Sequence, residues 1–192
     1  MLSPLPPLKE TPSQTAGPYV HIGMTPSLEG ITSPNVKDLG SGPIQGTGPR
    51  ITLTGRIFDG AAAPVSDAVV ELWQADANGD HISAWGRVAC DDTGTFVFDT
   101  VKPGRLAAPA GKLMAPHVTL WIVARGINVG LHTRLYFDDE ADANGADFVL
   151  NKVLDSRQRK TLIATKSETG GKTTYTLDIR LQGDNETVFF DI

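Results

Sequence analysis

A single cysteine, Cys90, in 192 residues leaves no intrachain disulfide to form and no thiolate cage to build. Disulfide scaffolds and zinc fingers are therefore excluded, and a reducing compartment is expected. Positive charge is also scarce. Lys and Arg number 17 against 22 Asp and Glu, for a formal net charge of −5. No basic cluster supplies the electrostatic footprint of a nucleic-acid binder. No apolar run approaches the roughly 18 residues of a membrane span. Residues 1–10 hold Pro4, Pro6, Pro7, Lys9 and Glu10 where a secretory signal would need an apolar stretch. Walker and dinucleotide glycine patterns are missing too. The expectation is a soluble cytoplasmic protein with neither nucleic acid nor membrane as its partner.

What is abundant is punctuation. The 20 Gly and 13 Pro favour short elements and many turns, and a hydrophobic fraction of 40% is enough for a sizeable core. The length suits one domain with an arm. Most of the prolines fall in residues 1–50, which show little apolar periodicity and read as an extended arm in need of a surface to lie on. From Ile51 the pattern becomes alternating: Ile51, Leu53 and Ile57 fall on one face, Thr52, Thr54 and Arg56 on the other. Further strands are expected at residues 69–75, 95–98, 117–124, 131–137, 173–181 and 187–190, separated by Gly, Pro and Asp turns. In residues 173–181 Tyr175, Leu177, Ile179 and Leu181 share a face. One helix is expected, capped by Asp155 or Ser156 and running through Thr165. The reading is all-β: a β-sandwich of mixed sheets over residues 51–192, with a short helical segment and an extended N-terminal arm over residues 1–50.

Several residues invite chemistry. Glu140, Asp142, Asn144 and Gly145 mimic the start of a calcium loop, but Asn151 stands where a bidentate Glu is needed and a strand precedes, so a solvated loop is the better reading. The segment from Asp76 through Asn78, Gly79 and Asp80 reads as a tight turn. Of His21, His81, His117 and His132, only His117 lies where side-chain direction is well determined, on a strand with Thr119, Trp121 and Val123. A metal-binding strand would carry a second imidazole or carboxylate two residues on, and Thr119 is a poor ligand, so His117 reads as a hydrogen-bonded histidine. Cys90 and Ser83 lack a base partner for nucleophilic catalysis. Arg125 has the parity of His117 and ends its strand. It suits either a carboxylate clamp or a solvated surface position. In the arm, Thr15, Gly17 and Pro18 form either a rigid turn or a close approach to another surface.

Taken in order, Gly55-Arg-Ile-Phe-Asp-Gly60, Val70-Glu71-Leu-Trp73-Gln74-Ala75-Asp-Ala-Asn78-Gly79, Val101-Lys102-Pro103-Gly104, Ala115-Pro116-His117 and Thr133-Arg134-Leu-Tyr136-Phe137 resemble the intradiol aromatic-ring dioxygenases. Residues 11–23 and the tail 184–192 extend the resemblance over nearly the whole chain. Iron-binding members of that family hold non-haem Fe(III) with two tyrosines and two histidines. Carried onto this sequence, the first tyrosine position is His81, residues 105–116 contain no tyrosine, the first histidine is His117 and the second is Thr119. The resemblance therefore implies a chain with no metal ligand set and no catalytic residue of its own, beside a homologous beta subunit that carries the Fe(III). It also implies a higher-order alpha/beta hetero-oligomer. The implied reaction is cleavage of 3,4-dihydroxybenzoate by O2, between its hydroxylated carbons, to 3-carboxy-cis,cis-muconate. Thr15, Gly17 and Pro18 would shape the mouth of the partner's site, and Arg125 would attract the substrate carboxylate. A stand-alone transthyretin-like module is the competing expectation, on Asp59-Gly60 with Pro64-Val65 and the turn Asp92-x-Gly94-x-Phe96.

Overall fold

The computed structural model describes residues 14–17, 19–36, 38–80 and 84–191. Residues 1–13, Pro18, His81 and Ser83 lie outside them. In chain order the strands are β1 (Arg50–Phe58), β2 (Val69–Gln74), β3 (Trp85–Ala89), β4 (Thr95–Val101), β5 (Leu106–Ala107), β6 (Leu113–Met114), β7 (His117–Val123), β8 (Leu131–Phe137), β9 (Ile163–Thr169), β10 (Lys172–Thr176) and β11 (Ile179–Arg180). The helices are short: α1 (Tyr19–Met24), α2 (Ala141–Ala146) and α3 (Ser156–Lys160). The fold is all-β, and among the described residues no helix is long and apolar enough to cross a membrane.

Two layers close on the main core, and a smaller buried cluster gathers around Tyr136, Leu150 and Leu162. In the first, β1 pairs antiparallel with β4 and parallel with β10 and β11, and β10 pairs antiparallel with β9. In the second, β7 lies antiparallel between β2 and β8, with β3 on the outer edge of β2. β9 belongs to both, because Ile163 and Ala164 pair parallel with β8 while residues 165–169 pair with β10. Alternation delivers Ile51, Leu53, Ile57, Phe96, Phe98 and Tyr175 from one layer against Val70, Leu72, Val118, Leu120, Ile122 and Leu135 from the other. Gln74 is buried across this joint and fully used: its amide nitrogen donates to the carbonyls of Ala75 and Val101, and Thr100 Oγ1 donates to its oxygen.

Four local readings are corrected. The expected strand 173–181 keeps its inward face but breaks at Leu177 and Asp178. The Leu177 carbonyl presses on Gly55, where a Cβ would come within 1.8 Å of its oxygen, and Asp178 Oδ1 accepts the Arg56 amide at 3.0 Å. The expected helix 155–165 is capped by Asp155, whose carboxylate accepts the Arg157 amide at 2.8 Å, but it stops at Lys160, and Leu162 and Ala164 are buried, Ala164 within β9. Residues 187–190 form no strand, although Phe190 bridges to His132. The acidic loop at residues 140–145 is largely α2, with the Asn144 side-chain Nδ2 donating to the Phe137 carbonyl at 2.7 Å and Glu140 held by Lys102 at 3.2 Å. The turn at Asp76 forms as expected, its carboxylate accepting the amides of Thr47, Asn78 and Asp80.

Candidate functional site

β7 ends at Val123, the next residue Ala124 is buried, and Gly126 turns the chain away at φ +85°. Between them Arg125 is delivered to the surface with its side chain 71% exposed. The arm meets it there. Ala16 makes a parallel bridge with Arg125, and the Gly126 amide donates to Thr15 Oγ1 at 2.8 Å. The structure thus brings together Thr15, Gly17 and Arg125, residues 111 apart in sequence at the hydrogen bond itself. A Cβ on Gly17 would meet nothing within 4 Å, so that side of the arm is open. One partner was not anticipated. Asp67 Oδ2 accepts the Arg125 amide at 3.3 Å and faces Arg125 Nε at 3.4 Å, while the Asp67 carbonyl accepts His21 Nε2 of α1 at 3.0 Å.

The opposite end of β7 holds His117. It is buried, its Nδ1 lies 2.8 Å from the Ala115 carbonyl, and its ring centroid is 5.6 Å from that of Tyr136 on β8. A carbonyl only accepts, so the proton is on Nδ1. Burial pushes the Tyr136 phenol up to about 12. Its hydroxyl donates to Asp147 Oδ1 at 3.3 Å and accepts from Arg134 Nη1 at 3.4 Å. Fully buried Asp147 also accepts the amides of Ala115, Val149 and Leu150 at 2.8–2.9 Å, fixing the loop that leads into His117. Neither Tyr136 as a neighbour of His117 nor Asp147 was foreseen from local pattern.

Ferric iron of the intradiol type wants phenolates and more than one imidazole. Here the position two residues from His117 is a neutral hydroxyl, Thr119, and the nearby phenol is held protonated. Among the described residues no group of three or more His, Cys, Asp or Glu could hold a metal ion. The donor set at His117 and Thr119 does not suit iron.

Thr119 instead lines a concavity of about 500 Å³ with Met24, Glu71, Trp73, Arg87, Trp121 and His132. Its floor is an ion pair: Arg87 Nε and Nη2 donate to Glu71 Oε1 at 2.8 and 2.6 Å, both side chains largely shielded. Arg87 Nη1 also reaches the Met24 carbonyl at 3.3 Å, a second tie between the N-terminal region and the sandwich. A larger groove of about 940 Å³ runs between residues 152–161 and 183–189, away from Arg125 and His117, and mixes charges of both signs.

A family model described as a dioxygenase matches residues 31–183. The chain is 48% identical to the protocatechuate 3,4-dioxygenase alpha chain of Pseudomonas putida, over 96% of this chain and 97% of that one. It is 41% identical to the alpha chain of Burkholderia cepacia, over 96% and 98%. The beta chain of the B. cepacia enzyme matches at 35% identity over 30% of each. Among solved structures, 3-chlorocatechol 1,2-dioxygenase from Rhodococcus opacus superposes with a TM-score of 0.60 at 21% identity, over 72% of this chain and 62% of that one.

Proposed function

The chain belongs to the intradiol ring-cleavage dioxygenase family, and on that premise we propose that it is the alpha subunit of a protocatechuate 3,4-dioxygenase. The family implies non-haem iron. In this reading the Fe(III) is held by a homologous beta subunit, and the alpha chain packs against it in a higher-order cytoplasmic hetero-oligomer. Residues 1–50 act as an arm committed to the partner, and residues 51–192 as the sandwich that carries it. The full-length likeness to two alpha chains displaces the transthyretin-like module.

The observation that carries the reading is the docking of Thr15 and Ala16 on Arg125 and Gly126. It gathers an exposed guanidinium and an open stretch of arm into one patch. The guanidinium supplies positive potential and a planar fork that fits a carboxylate, while Thr15, Gly17 and Pro18 shape the opening beside it. The substrate 3,4-dihydroxybenzoate carries such a carboxylate para to one hydroxyl, so it would enter with its diol toward the partner and its acid toward Arg125. This chain's contribution is attraction, orientation and part of the wall.

The test is iron content and visible absorbance of the chain purified alone and after co-expression with a beta chain. We expect iron and colour only in the complex, at one iron per alpha/beta pair. Iron and colour in the lone chain would refute the division of labour and make His81 and His117 the first residues to substitute.

A further inference from the structure

We propose that Asp67 is a positioning residue for Arg125, holding its guanidinium by the Nε edge so that the terminal nitrogens are presented to the substrate carboxylate, an inference that rests on the role given to Arg125 above. Asp67 stands directly before two fully buried residues, Ala68 and Val69, the second of which opens β2. Arg125 directly follows buried Ala124. Both are short extensions from rigid core strands, so their mutual geometry is set by the sheet. One carboxylate oxygen, Oδ2, accepts the Arg125 backbone amide at 3.3 Å and faces its Nε at 3.4 Å. Backbone and side chain of the same arginine are therefore referenced to one atom.

Arginine recognises a carboxylate bidentately through a pair of N–H groups on one edge. With Nε turned to Asp67, the edge formed by the two terminal nitrogens remains for a ligand. Among the described residues Asp67 is the only ion-pair partner of Arg125. An arginine as exposed as this one otherwise samples many rotamers, and its apparent affinity falls with the fraction of time it spends in the competent one. The Asp67 carbonyl adds a second function. It accepts His21 Nε2, whose ring also contacts Thr25 Oγ1 at 3.3 Å, so α1 is pinned to the residue that orients Arg125. The arm and the arginine share one reference point.

Asp67 has a competing electrostatic effect, because its negative charge lowers the potential felt by an approaching carboxylate. The two effects have opposite signs, which makes the assignment testable. In the assembled alpha/beta enzyme, Asp67→Ala is expected to raise KM for 3,4-dihydroxybenzoate about two- to fivefold, the scale of an exposed ion pair. KM for uncharged catechol, kcat and iron content should not change. Asp67→Asn, which keeps an oxygen acceptor, should recover part of the loss and also serves if the alanine variant does not assemble. In an Arg125→Ala background Asp67→Ala should add nothing. A KM for 3,4-dihydroxybenzoate that falls or stays the same, or a rise shared equally by catechol, would overturn the positioning role. If Arg125→Ala itself affects both substrates alike, the carboxylate reading of Arg125 fails and this inference with it. A selective effect of Arg125→Ala without one of Asp67→Ala sinks the inference alone.

Discussion

Cys90 shows how strongly surroundings decide what a side chain can do. Burial, reinforced by the charges of Asp91 and Asp67, pushes its thiol from 9.0 up to about 12. The thiolate is the nucleophile, so at pH 8 its fraction falls roughly a thousandfold below that of a free thiol. Iodoacetamide should label Cys90 in unfolded chain and leave it essentially untouched in the native protein, as read by mass spectrometry over time; comparable rates would mean that the interior opens readily. The sequence already excluded Cys90 as a catalyst for want of a base. It could not reveal Asp67 or Asp147, since each matters through partners 58 and 32 positions away. Arg125 drew notice because it closes the run begun by His117 with the same parity, and Thr15 because it lies in residues 11–23, which extend the family resemblance. Asp67 follows Val65 and Ser66 with no pattern of its own, and only the juxtaposition of β2 and β7 gives it a role.

Elements were legible where one periodicity persisted and blurred where a neighbour interrupted it. The inward face of residues 173–181 was correctly read from alternation, yet the break after Thr176 depends on what lies across the ladder, namely Gly55. That glycine is required because the Leu177 carbonyl occupies the space of a side chain. Gly55→Ala should cost about 3 kcal/mol, the upper end of overpacking, and lower the melting temperature of the assembled enzyme by roughly 6–12 °C. Scanning calorimetry showing a loss under ~1 kcal/mol would mean that the chain around Leu177 relaxes freely. β3 escaped notice because Gly86 interrupts its apolar face, and the same glycine admits Ile44, whose Cδ1 would lie 2.7 Å from an added Cβ. α2 escaped because Ala-Asp-Ala-Asn-Gly-Ala has the composition of a turn, and a helix of 6 residues gives periodicity no room.

For the whole molecule, the described part of the N-terminal region meets the sandwich through Thr15 and Ala16 at Gly126 and Arg125, His21 at Asp67 and Met24 at Arg87, and further along through Gly40 at Arg87, Ile44 at Asp99 and Thr47 at Asp76 and Ala77. Meanwhile the same region leaves Tyr19, Ile22, Leu28 and Leu39 substantially exposed. That pattern suits a segment whose other face belongs to a partner. Deleting residues 1–18 should therefore weaken co-purification with the beta chain or raise KM for 3,4-dihydroxybenzoate while the retained complex keeps its iron. Iron loss from an otherwise intact complex would show that the arm supports the metal site itself.

The placement of β10 and β11 beside β1 also bears on how the chain comes off the ribosome. Thr52 pairs with Thr174 and Ile57 with Ile179, so this side of β1 waits for about 120 further residues, on the order of 6–24 s of synthesis, before its neighbour exists. Only β4 can pair with β1 early. Such late, long-range closure makes folding slow and leaves an apolar strand edge open in the nascent chain. A partner translated at the same time could find that chain before the sheet is sealed.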